Sequence, residues 1–180
     1  MDIHSCKQDN PHTLIGYLVH STRGRMMTLG SDLKAIIIAG VIGEAVFEAY
    51  SWLISPILFG PILQPALLVK AIVAKLTGGA VVLPYGIAFV VHFLMGAVVF
   101  ALFVYLLHAV LKRSYLLAGL VTGLLLWFTA QGVLAPFIGR PFMMEFGAYT
   151  QSSFVAHTGM MLAIGFVLSK LLRRDQVGLQ

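Results

Sequence analysis

The sequence predicts an all-α integral membrane protein: a four-helix bundle with a short interfacial or re-entrant helix between its first and second spans. Hydrophobic residues make up 59% of the 180 residues and charged residues only 11%, which is far from the composition of soluble domains. Four apolar segments have the roughly 20 residues that a helix needs to cross a hydrocarbon core. They lack the two-residue alternation of barrel strands. The spans are therefore predicted to be helices, which satisfy their own backbone hydrogen bonds in lipid.

The four predicted spans are bounded by residues that commonly start helices. The spans are about 33–54, 85–111, 115–135 and 152–172. Serine and aspartate side chains cap helix amino termini, and proline fits just ahead of the first turn. The predicted starting signals are, in chain order, Asp32, Pro84, Ser114, and Ser152 or Ser153.

The spans form one predicted domain, the bundle 31–174, between a polar arm and a short tail. The arm, residues 1–30, has no long apolar core, so it does not resemble a cleaved signal peptide. The tail comprises residues 175–180. Between the first two spans, Ile57–Thr77 is apolar but interrupted by Pro61 and Pro65. A helix from Pro65 to Leu76 would cover only about 18 Å, too short to cross a membrane.

The basic residues predict the orientation of the bundle. The net charge of +5 would suggest nucleic acid in a soluble protein, but here the cations lie at the ends of apolar runs, so they indicate topology. One side of the membrane receives nine of the 12 lysines and arginines and the other side three, Lys70, Lys75 and Arg140. The positive-inside rule then places both termini in the cytoplasm, with the lipid bilayer as partner and no nucleic acid.

Two acidic residues, Glu44 and Glu48, lie in the middle of the first predicted span. An acidic side chain at the centre of a membrane helix is unfavourable by roughly 2.5 to 3.5 kcal/mol. Residues four apart project from nearly the same face of a helix. A structural hydrogen bond can be made by a less costly residue, so the pair predicts a functional site that faces protein, water or a cation.

Each of the other predicted spans offers a polar side chain at a comparable depth: His92, Gln131 and His157. A count of 1.5 Å per residue from the inner basic residues places all of them in the middle or outer half of the membrane. His108 lies near the inner end of its span and is predicted to be interfacial. Small residues accompany the polar ones and predict tight helix packing; they are Gly40, Gly96, Gly119 and Gly123.

Several chemistries fit this set of residues. Two carboxylates in a low dielectric cannot both ionise cheaply, so a proton site shared with a histidine is one hypothesis. Carboxylate and imidazole also suit zinc, iron or manganese. Copper would be suited by the nearby methionines Met95, Met143, Met144 and Met161. A haem held between His92 and His157 is a third possibility. The working hypothesis is that Glu44 and Glu48 bind a proton or cation, His92 and His157 are partners or metal ligands, and Gln131 orients them.

No motif of a soluble enzyme is present in the sequence. It contains no Walker loop, HExxH, GxSxG or phosphate-binding GxGxxG, which favours a non-enzymatic role. The competing class is a non-catalytic accessory subunit, whose polar groups meet another protein in a larger membrane complex. A homo-oligomer is the other partner state that the sequence leaves open. Metal content and co-purification would separate the two classes.

The second half of the chain resembles a known family in the spacing of several short motifs. They are His92 with Phe100 and Ala101, Leu117 to Gly119, Ala135 to Gly139, and Ser152 to His157. This pattern is similar to the YagU-type bacterial inner-membrane proteins over about Val91 to Arg174, with a further echo at Ile38 to Val41. The resemblance implies a bacterial inner-membrane location and no particular activity. It aligns His92 and His157 with histidines of the family, whereas Glu44 and Glu48 do not match its acidic position.

Overall fold

The computed structural model describes the backbone of residues 11–177 and the side chains of residues 30–172. Over this part of the chain all regular structure is helical. The chain divides into two compact units, Met1–Lys34 and Ala35–Gln180, and the site described below lies within the second. The predicted arm and tail fall largely outside the described side chains. The α-helices are α1 (Pro11–Ala49), α2 (Ser55–Leu58), α3 (Pro65–Leu76), α4 (Tyr85–Leu94), α5 (Ala101–Leu111), α6 (Tyr115–Phe128), α7 (Ala135–Phe137) and α8 (Ala148–Val177).

Four helical stretches among the described residues are long and apolar enough to cross a membrane, which confirms the predicted helical class. They are Gly30–Leu58, Tyr85–Leu111, Tyr115–Phe137 and Ala148–Leu172. The first span extends past the predicted end because Pro56 occupies the first turn of α2, where a missing N–H does no harm. The fourth begins four residues earlier than predicted.

The predicted helix starts were partly right. Pro84 directly precedes α4, and the Ser114 hydroxyl accepts a hydrogen bond from the backbone N–H of Leu117 at 3.2 Å, so these two are confirmed. Asp32 and Ser152 or Ser153 were wrong, because α1 continues through the former and α8 begins at Ala148. Both serines are instead buried inside α8, where they are available to neighbouring helices.

The short helix predicted between the first two spans is present as α3, with the predicted bounds. Pro65 begins it, and it ends just before Gly78 and Gly79, which have φ of +61° and +86°. Positive φ is readily adopted by glycine and terminates a helix. α3 packs against α4. At 12 residues it extends about 18 Å, too short for a fifth span.

Glycines allow the third and fourth spans to approach until their backbones touch, as the sequence predicts. A Cβ on Gly119 would collide with the carbonyl of Met161, and one on Gly123 would lie 2.9 Å from the Cα of Thr158. α6 and α8 form the most extensive helix pair in the fold. Such close approach replaces the hydrophobic effect as the source of helix association in lipid.

A substitution at this contact gives the first prediction. We expect Gly119→Ala to destabilise the protein by about 1 to 3 kcal/mol, because the added methyl group forces two rigid backbones apart. The matched control is Gly159→Ala on α8, where a Cβ meets no atom within 4 Å and alanine favours the helix. Thermal unfolding in detergent would compare the two variants. Equal melting temperatures would contradict the predicted packing.

Candidate functional site

Glu44 is the most deeply buried charged residue of the candidate site. Its exposed fraction is 0%, and neither carboxylate oxygen has a hydrogen-bond partner among the described residues. Buried polar groups are nearly always hydrogen-bonded, and an isolated buried carboxylate is costly. Glu44 therefore requires a proton or a cation close to its oxygens.

Glu48 lies one helical turn further along α1 and is held by a tryptophan. Its Oε2 accepts a hydrogen bond from the indole N–H of Trp52 at 2.9 Å. Its Oε1 is buried and has no partner among the described residues. The indole thus fixes one oxygen and leaves the other available, which is how outer-shell hydrogen bonds orient metal-ligating carboxylates.

His92 from α4 completes a cluster with the two glutamates. Its Nδ1 lies 3.8 Å from Oε2 of Glu44, which is beyond hydrogen-bonding distance, and it too has no partner within the described part of the chain. One ligand atom from each of Glu44, Glu48 and His92 lies within 4.8 Å of the other two. In a tetrahedral zinc site, with metal–ligand distances of about 2.0 to 2.2 Å, neighbouring ligand atoms lie about 3.4 Å apart. Side-chain rotations that bring the ligand atoms up to about 1.4 Å closer together would therefore close the cluster around a cation.

Gly96 makes room for the Glu44 carboxylate between the first two spans. A Cβ on Gly96 would occupy the position of the carboxylate Oε1, and a Cβ on Gly40 would meet the carbonyl of Ala97. Gly96 follows His92 by one helical turn, so a single stretch of the second span supplies both the imidazole and the space for the acid. The absence of a side chain at Gly96 therefore provides the space that the Glu44 carboxylate occupies in the cluster.

Three of the five residues of the predicted site, Glu48, His92 and Gln131, lie in or just before π-helical turns of the first three candidate spans. Tyr50–Ile54 follows Glu48, Met95–Phe100 follows His92, and Thr129–Leu134 contains Gln131. A π-helical turn inserts one extra residue into a helix and occurs frequently at functional sites. Nothing in the residue pattern indicated these turns.

Gln131 and His157 belong to a second polar group, joined by Ser153. The side-chain amide of Gln131 donates to the Ser153 hydroxyl at 3.0 Å, and that hydroxyl lies 3.2 Å from Nδ1 of His157. The same Nδ1 lies 2.7 Å from the Ser153 carbonyl, which requires it to carry the proton. The structure thus joins Gln131 to His157 through a serine, rather than to the two glutamates it was expected to orient.

Phe47 packs against both histidines. Its ring centroid lies 5.6 Å from that of His92 and 5.5 Å from that of His157, and the side chain is buried. A haem held between the two imidazoles would have to displace this ring. His108 is remote from the group and stacks on Tyr115 with centroids 3.6 Å apart, as befits a residue predicted to lie outside the site.

The methionines considered as copper ligands occupy different environments. Met161 is fully buried in the apolar core, whereas Met95 is 41% exposed and lines a cavity beside His92. Met143 is buried in the segment before α8, where its carbonyl accepts a hydrogen bond from Thr150. The structure does not assemble these residues into one sulfur-rich cluster.

The second polar group opens onto a cavity of about 250 Å³. Its polar lining includes both histidines and Gln131, and also three residues that sequence reasoning had not placed in the site: Arg140, Tyr149 and Ser153. Tyr149, Ser153 and His157 are spaced four residues apart on α8, so they share one face. That periodicity was a signal available in the sequence. Helix α3 forms part of the wall through Leu68, Val69 and Ile72.

Comparison with models of protein families, with curated proteins and with solved structures finds no match to this chain. The function is therefore inferred from the geometry of the two polar groups and the cavity.

Proposed function

We propose that this chain is a multi-pass protein of the bacterial cytoplasmic membrane that binds a divalent metal cation through Glu44, Glu48 and His92. The observation that carries the proposal is the buried Glu44 carboxylate, which has no hydrogen-bond partner among the described residues. It lies beside a second acid and an imidazole. Without the metal, a proton on the glutamate pair would neutralise part of the buried charge.

The donor set suits a metal ion of intermediate hardness. Two carboxylates and one imidazole are ligands for zinc, manganese or ferrous iron. Two ionised carboxylates would also balance the charge of a divalent cation, so that the occupied site is electrically neutral in a low dielectric. Trp52 would act as the outer-shell partner that orients Glu48.

The surface of the helices supports membrane insertion. Large apolar side chains face outward on the candidate spans, among them Leu53, Val90, Val110 and Phe166, which are 67%, 53%, 75% and 52% exposed. Exposed apolar surface on this scale indicates a membrane or protein partner. The distribution of basic residues favours cytoplasmic termini, and the resemblance to YagU-type proteins favours the bacterial inner membrane.

Metal analysis by mass spectrometry on protein purified without a histidine tag tests the proposal. We expect roughly one zinc, manganese or iron ion per chain, which is lost on dialysis against a strong chelator and regained from a solution of the metal. Protein that stays metal-free after such exposure would contradict the proposal. Metal-free protein that purifies only with a larger complex would instead support the accessory-subunit alternative.

A further inference from the structure

The cavity beside the glutamate and histidine cluster has a charged end and an uncharged end. Arg140 lies beside Tyr149 near the start of α8, and His157 lies eight residues further along the same helix. Eight helical residues span about 12 Å. Ser153 lies between them on α8, and Gln131 joins the His157 end through its hydrogen bond to Ser153.

The charged end has no acidic counterpart among the side chains that the structure describes. Within the described side chains, 30–172, no acidic residue lines the cavity, and no carboxylate forms an ion pair with Arg140. A guanidinium binds a carboxylate through two parallel hydrogen bonds. The charge at this end therefore favours an anionic group, and it disfavours a metal cation.

The other end presents hydrogen-bond acceptors. Gln131 is 6% exposed, and its Oε1 is buried with no hydrogen-bond partner among the described residues. Because the Ser153 carbonyl engages Nδ1 of His157, Nε2 is the nitrogen left to accept a hydrogen bond from a ligand. One free acceptor is complementary to a hydroxyl group, which has a single proton to donate.

Much of the cavity wall is apolar, and the cavity is small. Its walls include Leu68, Val69 and Ile72 from α3, with Leu126 and Leu134 from the third span. A volume of 250 Å³ is below the range of about 300 to 1,000 Å³ for drug-sized ligands. It suits a single ring or a short chain.

We propose that this cavity binds a small organic acid whose carboxylate pairs with Arg140 and whose far-end hydroxyl donates its proton to Nε2 of His157. A ring or short hydrocarbon chain fills the space between them. This binding does not depend on the metal proposed at Glu44, Glu48 and His92, although His92 lines both sites.

The experiment measures binding of 4-hydroxybenzoate to the purified full-length protein by calorimetry in detergent. We expect saturable binding that Arg140→Gln weakens about tenfold or more, because a charge-assisted contact is lost. The matched control, Lys75→Gln, removes one positive charge outside the cavity and should leave the affinity unchanged. Binding of the neutral analogue 4-hydroxybenzamide should be weaker and insensitive to Arg140→Gln.

A second variant tests the cavity with Arg140 in place, so that loss of binding does not depend on how Arg140→Gln affects the fold. Val69→Phe fills the cavity from α3 without a change of charge and should also abolish binding, while the metal content stays at the wild-type level. Absence of saturable binding to the wild-type protein would overturn the proposal. Equal effects of Arg140→Gln and Lys75→Gln, or equal affinity for the acid and the amide, would overturn it as well.

Discussion

Replacement of Glu44 by glutamine is expected to abolish metal binding and at the same time to stabilise the metal-free protein. The carboxylate is fully buried, and its two oxygens have no hydrogen-bond partner among the described residues. Burial of an unpaired charge is penalised by several kcal/mol, and a neutral amide of the same shape avoids that penalty. We expect a gain of about 1 to 3 kcal/mol in the free energy of unfolding of the metal-free protein at alkaline pH, where the wild-type carboxylate is ionised, and a smaller gain at acidic pH, where a proton neutralises it.

A variant that is more stable but no longer binds metal identifies a functional carboxylate, because loss of a structural carboxylate would lower the stability. Thermal unfolding of chelator-treated protein gives the first quantity, and metal content by mass spectrometry gives the second. Glu145→Gln is the matched control, because Glu145 is exposed on a loop and should change neither. A Glu44→Gln variant that is less stable than wild type and retains its metal would show that the glutamate is structural.

The sequence was sufficient to predict the helices and part of the cluster, because both depend on local pattern. Span length, the short α3 helix and the Ser114 cap follow from hydropathy and from single residues at helix ends. Glu44 and Glu48 were noticeable because a charge in an apolar segment is energetically unfavourable. Depth counting then placed His92 in the same half of the membrane, and the structure shows it beside Glu44.

The grouping of the remaining polar residues could not be read from depth alone. Depth counting gives position along a helix axis but not the direction in which a side chain points, and π-helical turns alter that direction. Gln131 therefore joins Ser153 and His157 instead of the glutamates. Arg140 was read only as a sign of topology, since its place in the cavity depends on the path of the segment before α8.

The structure also changes the choice between the glutamates and the histidines. The resemblance to YagU-type proteins expected from the sequence, for which the comparisons find no match, would favour His92 and His157, whereas membrane energetics favours Glu44 and Glu48. The structure separates the two histidines. His92 lies in a cluster with the two glutamates, whereas His157 forms a hydrogen bond with a carbonyl of its own helix. His92 is thus shared by the cluster and the cavity.

Gly96→Ala is expected to cause the second large effect, loss of metal binding without any change in a ligand. A methyl group on Gly96 would take the position of Oε1 of Glu44, so the carboxylate must move away from Glu48 and His92. Overpacking of this kind destabilises a fold by about 1 to 3 kcal/mol. Displacement of one ligand should weaken metal binding by about tenfold to a hundredfold, comparable to the loss of an outer-shell partner.

Gly86→Ala is the matched control for this substitution, since it lies on α4, where a Cβ meets no atom within 4 Å, and should leave metal binding intact. The decisive comparison adds Glu44→Asp, whose shorter side chain withdraws from the new methyl group. If the collision is with the carboxylate, Gly96→Ala should destabilise the Glu44→Asp protein less than the wild type, with a coupling of about 0.5 to 3 kcal/mol. Additive effects in thermal unfolding would mean that the methyl group acts on the helix backbone, and that Gly96 serves packing alone.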